Sequence, residues 1–76
     1  MISSQEQELM RQFGKRLSEL RRKRGITQEQ LAAAIDVSLS TIAYIETGKR
    51  FVRMVTLRKL AAVLEVDIKD LFDGVR

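Results

Sequence analysis

Residues 27–46 read TQEQLAAAIDVSLSTIAYIE, and how this stretch divides decides the fold. Apolar residues recur at helical spacing on both sides of Asp36-Val37-Ser38, which predicts two short helices around a tight turn. Thr27 and Gln30 form a capping pair at the start of the first, which should run to about Ile35. Ser38 caps the second and Gly48 ends it. Isolated helices shorter than about 12–15 residues are marginal in water, so neither can stand alone. Each needs a neighbour to cover its apolar face.

On a helical wheel, Ile42 and Ile45 define the inner side of the second helix, with Ser38 close to it. Opposite them fall Ser40, Ala43, Tyr44 and Thr47, with Leu39 and Thr41 on the flanks. The first helix is apolar from Leu31 to Ile35, where Ala32 and Ala33 let another backbone come close. A turn this short forces the two helices to cross steeply. The result is a helix-turn-helix whose second member is held at the surface by its inner face.

Outward from this pair the chain also reads as helical, with no Pro and only four Gly. Upstream, Ser3 with Glu6 offers a capping box, and Leu9, Phe13, Leu17 and Leu20 then mark one face of a first helix. Arg21-Arg22-Lys23-Arg24 closes that helix, with cations at the negative end of its dipole, and Gly25 suits the left-handed position beyond. Gly14 lies inside the helix at a cost of about 1 kcal/mol relative to Ala, which a close backbone approach would explain. Downstream, a loop from Lys49 to Val55 carries Lys49, Arg50 and Arg53. Thr56 is expected to cap a fourth helix with Leu57, Leu60, Ala61 and Leu64 on one face. Asp67 caps a short fifth with apolar Ile68, Leu71 and Phe72. The expected architecture is all-α, a compact five-helix single domain over residues 1–76.

Composition removes several functions. The 76 residues include no Cys and no His, so there is no disulfide framework or thiolate metal site, and the usual neutral-pH general base is absent. No paired-carboxylate pattern replaces it, and we expect no enzyme activity, metal, cofactor or small-molecule ligand. No apolar run approaches the roughly 18 residues of a membrane span, and the polar, acidic start is unlike a signal peptide. The expected setting is cytoplasmic. Charge is uneven: residues 11–59 carry twelve Lys/Arg against four acids, a net of +8, while each end is −2, giving +4 in all. A basic middle between acidic ends suits a polyanion-binding face, although the same charges would also keep a small domain soluble.

The run Gly25-Ile26-Thr27-Gln28-Glu29-Gln30-Leu31-Ala32, then Val37-Ser38, Ile42, Ile45-Glu46 and Gly48-Lys49-Arg50, resembles the phage-repressor and Cro type (XRE-type) of helix-turn-helix. Gly14, Leu17, Leu20 and Arg21 extend the likeness upstream, and Thr56-Leu57, Lys59-Leu60-Ala61 and Leu71-Phe72 extend it downstream. It covers about residues 13–73, with 1–12 as an N-terminal extension of the first helix. The resemblance implies a lambda-repressor-like domain that lays its third helix in the major groove of double-stranded DNA. It places Leu39, Ser40, Ala43 and Tyr44 at base edges, and Gln28, Thr41, Lys49, Arg50 and Arg53 at phosphates. It also makes Arg21 and Glu46 a partly buried ion pair. Two residues depart from the pattern. Asp36 stands where the family usually has Gly in the turn, which predicts strain, and the loop after Arg50 lacks a frequent Pro.

Each role has a plainer counterpart. Gln28 could be a helix-favouring surface residue, but a first-turn amide beside free backbone N–H groups suits an anion. The face around Ser40 and Tyr44 could be an ordinary wet surface, yet it shows no long charged residue between Ser38 and Ala43. The run Arg21–Arg24 reads as capping and a solvated face. Glu46 lies on the inner half of its helix, where a lone carboxylate is costly, so it should be paired. Ile68, Leu71 and Phe72 could complete the monomer core or form a dimer seam, and a short fifth helix favours the seam. The leading expectation is a sequence-specific DNA-binding transcriptional regulator acting as a homodimer on a two-fold operator. Its length suits a stand-alone restriction–modification controller, a phage-type repressor or the antitoxin of a toxin pair. The alternative is a protein-interaction module that keeps the fold without DNA binding.

Overall fold

Local capping signals set where most of the helices begin. A computed structural model describes residues 3–76, with α1 at Ser4–Lys23, α2 at Gln28–Ala34, α3 at Leu39–Glu46 and α4 at Met54–Leu64. A single 3-10 helix, Ile68–Phe72, follows. The all-helical expectation holds, with the fifth element a tighter, shorter helix than an α-helix. Ser3 Oγ accepts from the Glu6 N–H at 3.1 Å, Thr27 Oγ1 from Gln30 N–H at 3.0 Å, and Ser38 Oγ from Thr41 N–H at 3.1 Å. Each satisfies one of the donors that a helix start leaves free.

The helices also stop in a common way. Gly25, Asp36, Gly48 and Glu65 all have positive φ, from 56° to 75°. After each of them the next N–H reaches back into the last turn, as Ile26 does to Arg21 O, Val37 to Ala32 O and Lys49 to Tyr44 O. Two of these stops use residues other than Gly. Asp36 is exposed, with φ at 59°, so the turn between α2 and α3 carries the strain its sequence predicts. Glu65 is paired with Arg24, which ties the end of α4 to the end of α1.

The core gathers Leu17, Leu31, Ile42, Ile45, Leu60, Leu64 and Leu71, all nearly inaccessible to solvent. α1 lies across α3 and closes on it at Gly14, where a Cβ would sit 2.3 Å from Ile45 O and 2.5 Å from Glu46 O. Gly14 is therefore the close backbone approach that its position inside a helix suggests. Gly48 combines φ +75° with a second close approach, to the Arg11 backbone.

Three sequence expectations give way here. Leu9 is 40% exposed and Met10 is buried in its place, so the inner stripe of α1 runs Met10, Phe13, Leu17, Leu20. The i, i+4 spacing of Leu9 and Phe13 also fits the edge of a face, and only the packed partner distinguishes edge from centre. Thr56 does not cap α4. The helix begins at Met54 with Arg53 in the extended cap position and no side-chain bond. Val52 is buried just before it, and this anchor sets where the chain must turn. Finally, Leu71 is wholly buried in the monomer core, which removes it from any seam. Arg16 Nε donates to Asp70 O at 2.8 Å and holds the 3-10 helix against α1, while the Phe72 ring lies 5.1 Å from that of Phe13.

Candidate nucleic-acid interface

The inner side of α3 is fixed by Ile42 and Ile45, so its outer side must face solvent. Leu39 and Tyr44 are 45% and 48% exposed, Ser40 is exposed, and Ala43 and Thr41 are half-buried. No charged side chain stands on this face. Hydroxyls cluster at its N-terminal end, where Ser38 Oγ lies 2.7 Å from Thr41 Oγ1 and 3.2 Å from Ser40 Oγ. Thr47 is exposed, but its hydroxyl donates back to Ala43 O at 2.9 Å, so its proton is already used.

Behind α3 is a polar anchor. Glu46 accepts from Arg21 Nε at 2.6 Å and Nη2 at 3.1 Å, a bidentate pair with side chains only 5% and 10% exposed. Arg21 Nη1 donates to Ile26 O at 2.8 Å, and Gln28 Nε2 donates to Glu46 Oε1 at 2.9 Å. The structure thus brings together three residues from α1, α2 and α3. Two buried charges are tolerable here because nearly every donor and acceptor has a partner. Gln28 is half-buried, with one amide hydrogen committed to Glu46. Its other N–H makes no hydrogen bond among the described residues.

Depressions flank α3 on both sides. One gathers Arg22, Thr27, Gln28, Glu29 and Leu39, and the other Thr41, Arg50, Arg53 and Thr56. Arg50 Nη1 donates to Thr41 Oγ1 at 3.3 Å, so the loop cation leans on the helix. Lys49, Arg50 and Arg53 are all exposed. The loop flank therefore offers two cations, and the α2 flank offers Arg22 beside the Glu29 carboxylate, each with hydroxyl or amide donors next to an uncharged helix face. Sequence reasoning gave Arg22 a capping role and a solvated face, because its place beside Gln28 depends on how α1 and α2 pack. It also passed over Phe51, Met54 and Val55, which are 74%, 69% and 54% exposed. Their only sequence signal was apolar side chains within a basic loop.

The helix-turn-helix family (HTH_3) matches residues 17–71, most of the chain. The chain belongs to that family. It is 48% identical over 63 residues to the uncharacterized HTH-type transcriptional regulator RghRB of Bacillus subtilis, covering 82% of this chain and 45% of that protein. It is 39% identical over 64 residues to control protein C.MunI of a Mycoplasma species, covering 83% and 86%. The crystal structure of the restriction-modification controller C.AhdI from Aeromonas hydrophila superposes with a TM-score of 0.80 at 38% identity, covering 83% of this chain and 96% of that one. This chain thus spans just under half of RghRB but most of both controllers. No helix among the described residues is long and apolar enough to cross a membrane.

Proposed function

We propose that the chain is a sequence-specific, double-stranded-DNA-binding transcriptional regulator that lays α3 in the major groove as a homodimer on a two-fold operator. The observation that carries this reading is the uncharged outer face of α3 set between two cation-bearing depressions. That division suits a groove-reading helix, with the flanking cations placed for phosphates, which fix register, and the helix face for base edges, which carry sequence. In this reading Leu39, Ser40, Ala43 and Tyr44 face base edges. Gln28, Thr41, Lys49, Arg50 and Arg53 face phosphates, and Arg22 joins them. The match to two controller proteins along most of their length supports the restriction–modification controller class among the regulators considered.

The base-facing row has no Arg, Gln or Asn for the bidentate contacts that read guanine or adenine strongly. Hydroxyls discriminate weakly, and Leu39 and Ala43 can meet thymine methyls. Direct readout is accordingly modest, and DNA shape supplies the rest. Selection of bound duplexes from a random pool tests this directly. It should return a two-fold motif with half-sites one helical turn apart and tolerant positions within each half. Failure to retain any duplex at low salt would leave the fold as a protein-interaction module.

A further inference from the structure

The hydroxyl groups at the start of α3 do not act singly. A line of four polar groups crosses this end of the helix. Arg50 Nη1 lies 3.3 Å from Thr41 Oγ1, which lies 2.7 Å from Ser38 Oγ, and Ser38 Oγ lies 3.2 Å from Ser40 Oγ. Ser38 Oγ also accepts from the Thr41 N–H at 3.1 Å, so one of its lone pairs is already filled. A hydroxyl carries one proton and two lone pairs, whereas an arginine N–H only donates. The line therefore has one end of fixed direction. Thr41 is half-buried while Ser38 and Ser40 are exposed, so the line leads from the loop cation to the surface that faces DNA in the proposed function.

We propose that Arg50, Thr41 and Ser38 orient the Ser40 hydroxyl as a donor toward the DNA, which makes Thr41 a positioning residue for base readout. This inference rests on the functional reading above and gives a direction to one of its contacts. The guanidinium draws the lone pairs of Thr41 toward itself and turns the Thr41 proton away, onto Ser38 Oγ. Their separation of 2.7 Å is the usual length of an O–H···O bond. With both lone pairs of Ser38 then filled from Thr41, its own proton goes to Ser40 Oγ. Ser40 accepts it and points its proton outward. Hydrogen bonds aligned head to tail polarise one another, so the direction set at Arg50 carries to the end of the line. The reverse order would bring the donors of Arg50 and Ser38 onto one Thr41 oxygen and turn the Ser40 proton inward.

An outward donor is selective. Guanine N7 and O6, adenine N7 and thymine O4 accept in the major groove, whereas cytosine presents N4–H donors there. Ser40 should accordingly favour a purine or thymine and reject cytosine, where donor would meet donor. Thr41, its proton committed to Ser38, serves the phosphates by holding Arg50 rather than through its own hydroxyl.

Competition binding to the selected operator and to its single-base variants provides the test, with thermal melts run beside it. Ser40→Ala identifies the base pair that Ser40 reads, where the wild type should disfavour cytosine by roughly fivefold, the worth of one hydrogen bond. Thr41→Val keeps the side-chain shape but should lose most of that preference at the same base pair. Its salt slope should stay near wild type, because Arg50 keeps its charge. Thr41→Ser restores the hydroxyl and should restore the preference. Should Thr41→Val melt poorly, Thr41→Ala takes its place. Arg50→Ala is the poorer probe, since losing a phosphate contact weakens every duplex and masks a preference at one base pair. The proposal is overturned if Thr41→Val discriminates there as the wild type does, if Thr41→Ser brings no rescue, or if the wild type prefers cytosine. Each of those results leaves α3 as the reader of DNA. A wild type that retains no duplex would sink the DNA reading itself, and this proposal with it.

Discussion

The two regions that flank the exposed face of α3 are built on opposite plans. On the α2 side, Arg21, Glu46 and Gln28 make a nearly dry network across three helices, and Gly14 brings the α1 backbone against the end of α3. On the loop side, residues 49–53 are fastened by buried Val52, by the Lys49 N–H to Tyr44 O, and by one long bond from Arg50 to Thr41. The first plan fixes the pitch of α3 against the body. The second leaves its cations exposed, which in the proposed reading lets them follow a DNA backbone whose path varies with sequence. A reader of weak base contacts needs both, since a tilted helix would blur hydroxyl contacts while rigid cations would exclude deformable DNA.

The comparison breaks most violently at Glu46. Glu46→Ala leaves Arg21 buried without its partner and should cost about 3–5 kcal/mol in a denaturant titration. Arg21→Met should cost a similar amount, and the double variant less than the sum, with a coupling above about 0.5 kcal/mol. Strict additivity would mean the pair contributes nothing beyond its separate parts. Next comes Gly14→Ala. An added methyl meets two backbone carbonyls that cannot swing away, so α1 and α3 must separate, at a cost of about 1–3 kcal/mol. A neutral result would show that the contact is looser than its geometry implies.

The loop plan is tested through binding, because its residues hold little of the fold. Arg50→Ala should leave the melting temperature near that of the wild type and weaken specific and random duplexes alike, by roughly tenfold for a charge-assisted contact of about 1.5 kcal/mol. The slope of log K against log salt should fall by about 0.9. A changed sequence preference with an unchanged slope would make Arg50 a base reader. The smallest effect lies at the turn. Asp36→Gly relieves a left-handed residue whose side chain makes no hydrogen bond or ion pair among the described residues, and should raise stability by up to about 1 kcal/mol. A loss instead would assign Asp36 a role in the turn that its geometry does not show.

Much of this was legible from the chain itself, for a definite reason. Ser3, Thr27 and Ser38 announce helix starts because a cap oxygen and the N–H that donates to it lie within three residues, and the structure keeps all three. The turn at Asp36 was legible in the same local way. What depended on distant packing was not. Arg53, with no capping side chain, starts α4 because Val52 is anchored, and nothing near Thr56 reveals that. Leu9 and Met10 exchange places because the partner of α1, not its own periodicity, picks the centre of the stripe. Leu71 inverts expectation most fully, and Phe51 carried no expectation at all. A leucine in the last short helix sinks wholly into the core, while a phenylalanine in a basic loop stays in water. The pairing of Arg21 with Glu46 came only through family likeness, since no spacing rule links residues so far apart in the chain.

In the proposed function α3 reads bases while its flanks hold phosphates, and one measurement separates the two. Duplexes should be selected from a random pool by the wild type and by Tyr44→Ala, and the salt dependence of each recorded on its best site. Tyr44 is 48% exposed and outside the core, so the variant should keep its fold. Tyr44→Ala should select a motif that loses information within each half-site while half-site spacing and salt slope stay near wild type. An unchanged preference at every base pair would contradict it, and the outer row of α3 would then be no reader of DNA sequence.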